Sequence, residues 1–127
     1  WGSWLIESAR SRTFFAGDSG FFRGFAEYGR IFPGLDLAIL PTGAYEPRWF
    51  MKAVHMNPEE ALQAFRDLGA RHMLPMHWGT FDLTDEPIDE ADRVLEQRLQ
   101  DESSGLARRV HRLAIGGSLR LTDATAI

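Results

Sequence analysis

Residues 57–77 read NPEEALQAFRDLGARHMLPMH, and this stretch decides the fold class. Asn57 is a preferred N-cap, Pro58 suits the first helical position, and Glu60 completes a capping box. Apolar residues then recur at helical spacing up to a glycine, a common residue at helix ends. Residues 71–77 follow as an apolar run typical of a buried strand. A helix followed at once by a strand is the repeating step of a layered α/β structure.

Further elements are predicted on both sides of this stretch. Residues 35–40 form an almost continuous apolar run, which predicts a second buried strand. Aromatic residues at helical spacing predict a helix over residues 22–31. The remaining predicted elements are strands over 4–6 and 13–16, a helix over 89–100, and a terminal hairpin pairing 110–115 with 118–121. The order β-β-α-β-α-β-α-β-β predicts an α/β fold.

Residues 41–56 are predicted to be a loop, and its composition is unusual. Loops are normally built from small polar residues. This one contains Tyr45, Trp49, Phe50 and Met51. Such bulk predicts that the loop packs over another part of the protein.

Composition excludes several classes of protein. With 127 residues, 44% hydrophobic and 25% charged, the chain has the size and composition of one small globular domain. No apolar run approaches the roughly 20 residues of a transmembrane helix. A net charge of −4 and scattered basic residues argue against a nucleic-acid partner. The sequence contains no G-x-G-x-x-G or P-loop motif.

Cysteine is absent, which limits the kinds of site that the chain can build. Disulfides and thiolate metal sites are both excluded. The absence of cysteine fits a reducing compartment, and a cytoplasmic location is therefore predicted.

Three residues stand out as candidates for chemistry. Asp18 follows a predicted strand, His77 ends another, and His55 closes the bulky loop. Ligands of open α/β sheets gather at the carboxyl ends of strands, and carboxylate and imidazole groups suit zinc. Each residue also has a structural alternative: Asp18 as a helix cap, His77 as a hydrogen-bonded core residue, and His55 as a surface residue. The residues alone leave these alternatives open; His72 and His111 are predicted to be structural.

Three segments carry a resemblance to a known family. They are FAGDSG at residues 15–20, GAYEPRWFMK at 43–52 and HWGTF at 77–81. In this order they resemble the N-acylphosphatidylethanolamine-hydrolysing phospholipase D family and its bacterial relatives. The similarity spans about residues 1–87, and the tail from residue 88 is weakly matched.

The resemblance implies the fold and a site. The family has an αβ/βα metallo-β-lactamase sandwich, here as a mixed sheet with flanking helices, around two zinc ions. Asp18 corresponds to the aspartate that bridges both metals, and His77 to the last histidine ligand. His55 corresponds to a histidine beside the metals that is implicated in activity. In the family a metal-bridging hydroxide attacks a phosphodiester, so the implied substrate is phospholipid-like.

One departure from the family is large. Its His-x-His-x-Asp-His motif, which supplies most of the metal ligands, is absent from this sequence. Residues 1–127 are therefore predicted to be the C-terminal half of the hydrolase domain, with a partial zinc site and no activity alone. The longer parent protein is expected to be cytoplasmic or peripheral to a membrane. The exposed apolar face of such a half predicts self-association as a dimer.

Two other functions remain open. One is a lactonase of the same fold, since fold and metals leave the substrate undetermined. The other is a non-catalytic interaction module that uses the bulky loop, residues 45–51, as its binding surface.

Overall fold

The computed structural model describes residues 2–101 and 105–121. Among these, four strands and four helices are connected by short segments. The strands are β1 (Trp4–Glu7), β2 (Arg12–Phe15), β3 (Leu37–Pro41) and β4 (His72–Met76). The helices are α1 (Gly24–Ile31), α2 (Arg48–Met51), α3 (Pro58–Leu68) and α4 (Glu90–Gln100), followed by a 3-10 turn, Leu106–Arg108.

The strands form one mixed sheet in the order β1-β2-β3-β4. β1 pairs with β2 antiparallel, whereas β2, β3 and β4 are parallel. Parallel neighbours need a crossover connection, and α1 and α3 lie in these two crossovers. The α/β fold with a mixed sheet and flanking helices is confirmed. Its functional consequence is that β2, β3 and β4 all end at the same edge.

Helix α3 begins and ends as the sequence predicts. The Asn57 side chain accepts a hydrogen bond from the Glu60 N–H at 2.8 Å, and the Glu60 carboxylate accepts one from the Asn57 N–H at 3.2 Å. Gly69 ends the helix in the left-handed conformation, with φ 64°. This reciprocal capping fixes the first turn of α3, which directly follows His55.

The core lies between one face of the sheet and the helices. Phe14, Ala38 and Met73 from the strands are buried there with Phe65 of α3 and Leu95 of α4. Side chains alternate along a strand, so every second residue points to the opposite face.

The opposite face of the sheet is apolar and only partly covered. Trp4 is 68% exposed and Ile6 is 57% exposed. This open face continues across the sheet through the residues paired in register on β2, β3 and β4. They are Phe15, Ile39 and Leu74, and all three are partly exposed.

The segment 41–56 differs from the prediction of a packed loop. It contains helix α2, a single turn. Tyr45 is buried as expected, but Trp49 is 86% exposed and Phe50 is 65% exposed. One helical turn presents side chains all around its axis, so only some of them can reach the rest of the protein.

The predicted terminal hairpin does not form. Residues 111–121 contain no strand, and Val110 instead makes a parallel bridge to Met73 of β4. Two backbone hydrogen bonds of 2.8 Å hold this bridge, from the Met73 N–H to Arg109 and from the His111 N–H to Met73. Pairing with an open sheet edge and burial of Val110 outweigh the local turn.

His72 and His111 contact each other in this terminal region. Their rings share a hydrogen bond of 3.0 Å between Nε2 of His111 and Nδ1 of His72. The pair links β4 to the segment that follows α4, in line with a structural role.

Candidate metal centre

Three chain segments converge at the carboxyl edge of the sheet. Asp18 follows β2, His77 follows β4, and His55 lies just before α3. Backbone hydrogen bonds fix these segments to one another. The Met56 N–H donates to Ser19 at 3.1 Å, and the Thr42 N–H donates to Met76 at 3.0 Å.

Two glycines allow the segments to approach closely. A Cβ on Gly20 would lie 2.6 Å from the carbonyl oxygen of Lys52, and a Cβ on Gly43 would lie 2.2 Å from that of His77. These distances are shorter than van der Waals contact, and the atoms met are backbone atoms. Only glycine therefore fits at the two positions.

His77 has a backbone conformation that is rare outside glycine. Its φ is 60°, in the left-handed region. Ala44, in the segment that packs against it, has φ 59°. Non-glycine residues persist in this region only where the surrounding structure imposes it, and such residues cluster at functional sites.

The structure brings Asp18, His55 and His77 together. One potential ligand atom from each residue lies within 4.8 Å of the other two. Oδ1 of Asp18 lies 3.6 Å from Nε2 of His77, and the rings of His55 and His77 are 4.8 Å apart. The Asp18 side chain is 61% exposed and that of His77 is 27% exposed, so the cluster opens to solvent.

The cluster fits a metal ion in geometry and chemistry. Zinc–ligand distances of about 2.0–2.2 Å place two ligands of one tetrahedral ion about 3.3–3.6 Å apart, close to the observed separation of Asp18 and His77. Nδ1 of His55 is buried and has no hydrogen-bond partner among the described residues. A buried nitrogen without a protein partner requires an explanation, and a bound ion or water would supply a partner.

The environment of His55 favours its neutral form. Burial is the main cause that lowers its pKa, and the neighbouring His77 lowers it further. The Gly43 backbone, Asp18 and Glu86 oppose these effects without reversing them. Neutral imidazole is the form of histidine that binds metals.

Arg48 holds the segment that carries His55. Its guanidinium donates hydrogen bonds to the carbonyls of Tyr45 at 3.0 Å and His55 at 3.2 Å. It also forms an ion pair of 2.6 Å with Glu60, the residue that caps α3. One side chain thus ties both ends of residues 45–55 to the start of the helix. The sequence gives no signal for this arrangement, because two of the three partners are backbone carbonyls, which every residue carries.

Glu86 holds the opposite side of the site. Its carboxylate is buried and accepts hydrogen bonds of 3.0 Å from the N–H groups of Tyr45 and Glu46. Burial would raise its pKa, but hydrogen bonds, among them one from Thr84, lower it overall. Sequence analysis missed Glu86, because an acidic residue in a polar segment is normally exposed.

Comparison with known proteins identifies the family. The sequence profile described as "Beta-lactamase superfamily domain" matches residues 1–78. The chain belongs to the beta-lactamase superfamily. It is 38% identical over 111 residues to N-acyl-phosphatidylethanolamine-hydrolyzing phospholipase D 1 of Caenorhabditis elegans, a match that covers 81% of the chain and 31% of that protein.

Two further matches agree with this assignment. A metal-dependent hydrolase of Rubrobacter xylanophilus is 38% identical over 82 residues, covering 65% of the chain and 30% of that protein. The solved structure of Igni18, described as a novel metallo hydrolase from Ignicoccus hospitalis, superposes with a TM-score of 0.58 at 26% identity, covering 87% of the chain and 41% of Igni18. The expected metallo-β-lactamase fold and the resemblance to the phospholipase D family are confirmed. The chain spans less than a third of the length of these two curated relatives.

No helix within residues 2–101 and 105–121 has both the length and the apolar character needed to cross a membrane.

The close contact at Gly43 generates a prediction. We expect Gly43→Ala to push the segment after β3 away from His77, because the new Cβ would overlap a backbone oxygen that cannot move aside. The free energy of unfolding should fall by about 1–3 kcal/mol, the usual cost of overpacking. Urea unfolding measures this change. Gly2→Ala is the control, since a Cβ there meets nothing within 4 Å, and equal effects of the two variants would contradict the interpretation.

The buried carboxylate of Glu86 generates a pH prediction. Folding lowers the pKa of Glu86. The charged carboxylate therefore stabilises the fold fully above its unfolded pKa of about 4.5, and this stabilisation is lost as the pH falls through the lower folded pKa. At pH 7, Glu86→Gln should lower the free energy of unfolding by about 1–3 kcal/mol. The difference from wild type should shrink as the pH approaches 3, as followed by urea unfolding across pH 3–7.

The control for this experiment is Asp82→Asn, which alters an exposed acid of the same segment. We expect its effect to be small at every pH. A Glu86→Gln effect that stays constant between pH 7 and pH 3 would show that the charge of Glu86 is not what stabilises the fold.

Proposed function

We propose that the chain is part of a zinc-dependent phosphodiesterase that acts on a phospholipid-like substrate. The observation that carries the proposal is the convergence of Asp18, His55 and His77, from three separate segments, into one solvent-accessible cluster. The name of the Caenorhabditis elegans relative, a phospholipase D that hydrolyses N-acyl-phosphatidylethanolamine, supports the substrate class.

Each residue of the cluster has a proposed role. Asp18 and His77 bind metal through carboxylate and imidazole groups, the donors that zinc prefers when cysteine is absent. Bound zinc supplies a nucleophile at neutral pH and offsets negative charge on phosphoryl oxygens. His55 lies against His77 and orients the phosphate group, and the hydrogen bond from Arg48 to its carbonyl holds it there.

We also propose that the remaining zinc ligands lie outside these 127 residues. A two-zinc centre needs more donors than Asp18 and His77 supply, since each zinc ion takes about four ligands. The match covers about 31% of the Caenorhabditis elegans protein, which is consistent with further zinc ligands in other parts of a longer protein. The chain alone then binds zinc weakly and has no activity.

Zinc binding tests this proposal directly. We expect the zinc-free chain to bind zinc weakly and with less than two ions per chain, as measured by calorimetry and by elemental analysis after dialysis. His77→Ala should abolish binding, because it removes one of the two proposed metal ligands and Asp18 alone is too little for a stable site. His111→Ala is the matched control, since this imidazole lies in the pair with His72.

Two results would contradict the proposal. Zinc binding that is unchanged in His77→Ala would place the metal elsewhere. Two tightly held ions per chain would mean that the 127 residues build a complete centre. Activity itself is tested on a longer protein containing this chain: hydrolysis of N-acylphosphatidylethanolamine that is lost on Asp18→Asn supports the phosphodiesterase, whereas hydrolysis of lactones alone supports a lactonase of the same fold.

Self-association is a further part of the proposal. The open face of the sheet presents Trp4 and Ile6 to solvent beside Phe15 and Ile39. A contiguous apolar face of this kind favours association between copies of the isolated chain. We expect a dimer in sedimentation velocity, with a dissociation constant that rises at least about tenfold in Trp4→Ser/Ile6→Ser, because less apolar area is buried.

The matched control is Trp49→Ser/Phe50→Ser, which removes two large and even more exposed side chains from α2. A well-folded wild-type monomer at all concentrations would refute self-association. Dissociation caused by the control instead would place the interface at α2. That result would favour the alternative function, an interaction module, because the exposure of Trp49 and Phe50 is the observation on which the alternative rests.

A further inference from the structure

A cavity of about 250 Å³ adjoins the candidate metal centre. It lies between the segment that follows β4 and the start of α4. His77 lines this cavity and also belongs to the cluster with Asp18 and His55. The cavity and the cluster therefore lie side by side, with His77 common to both.

The side chains around the cavity are mainly apolar. They include Trp78, Phe81, Leu83, Ile88 and Ala91. Phe81 is 73% exposed and Leu83 is 68% exposed, so these two side chains form an apolar rim at the entrance. Exposed apolar residues grouped beside a cavity are typical of binding sites.

The charged and hydroxyl groups that line the cavity already have partners. Both carboxylate oxygens of Glu86 accept backbone hydrogen bonds, one from Tyr45 and one from Glu46. The Thr80 hydroxyl donates to the carbonyl of Trp78, and the Thr84 side chain is close enough to Glu86 to lower its pKa. Both oxygens of Glu86 are engaged in these hydrogen bonds, and the negative charge of its carboxylate would repel a phosphate group.

We propose that this cavity binds one alkyl segment of the substrate while the polar group of the substrate lies at the Asp18–His55–His77 cluster. The inference rests on the proposed function and adds the position of the apolar part. The cavity is smaller than the 300–1,000 Å³ of most ligand pockets, so it accommodates a single chain segment rather than a whole lipid. A phosphate headgroup is excluded from it, because it would lose hydration beside the negative charge of Glu86.

The test uses the 127-residue chain without metal and 1-hexanol as a neutral probe. We expect saturable changes in the amide chemical shifts of Gly43, Gly79 and Thr84 in a hexanol titration. In Phe81→Ser/Leu83→Ser, the dissociation constant should rise about five- to tenfold, since part of the apolar contact is lost. Both side chains are exposed, so the fold should persist.

The matched control is Ile115→Ser, which removes an 87% exposed aliphatic side chain outside the cavity. Its hexanol affinity should equal that of the wild type. Shifts confined to the open sheet face around Trp4 and Ile6, or a rim variant that binds as the wild type does, would overturn the proposal.

A second titration links the cavity to the cluster. In zinc-loaded protein, hexyl phosphate should bind about tenfold more tightly than methyl phosphate, and the rim variant should lose most of this difference. Equal affinities for the two phosphates would overturn the link. The proposed function is tested separately, by hydrolysis in a longer protein containing this chain. The metal-free hexanol titration decides independently whether the cavity takes an alkyl chain.

Discussion

The parallel pairing of β2, β3 and β4 is the constraint on which the site depends. It places the ends of three strands at one edge of the sheet, and the connections leaving that edge must then share a small volume. Gly20 and Gly43 make this possible, because at both positions a side chain would overlap the backbone of the neighbouring segment. Asp18, His55 and His77 are within reach of one another as a result of this close backbone packing.

Charged side chains behind the site then hold its segments in place. Arg48 joins the carbonyls of Tyr45 and His55 to Glu60, whose carboxylate also caps α3. Glu86 binds the other side of the same segment through two backbone N–H groups. Hydrogen bonds to charged groups are stronger than those between neutral ones, so these contacts give an irregular segment a defined position. A metal site requires such support, since its ligands must keep their geometry.

The polar cluster and the apolar surfaces of the protein lie in different places. The cluster itself is open to solvent and contains donors for a cation. Beside it lies a cavity in which Glu86 has no free oxygen and most walls are apolar. The open face of the sheet is apolar too, but it lies on the strands rather than at their ends. The three surfaces therefore differ in chemistry: the first presents carboxylate and imidazole groups, and the other two are mainly apolar.

The sequence by itself determined the elements with strong local signals. Helix α3 was predicted to within a residue, because its cap, its apolar period and its terminal glycine all lie within a short stretch. The motifs around Asp18 and His77 likewise identified the family, which the comparisons confirm. Only the tertiary structure decided the partner of Val110, which joins β4 instead of a hairpin, and the burial of Glu86 between distant segments. Both depend on contacts between residues far apart in sequence, and local propensity carries no information about such contacts.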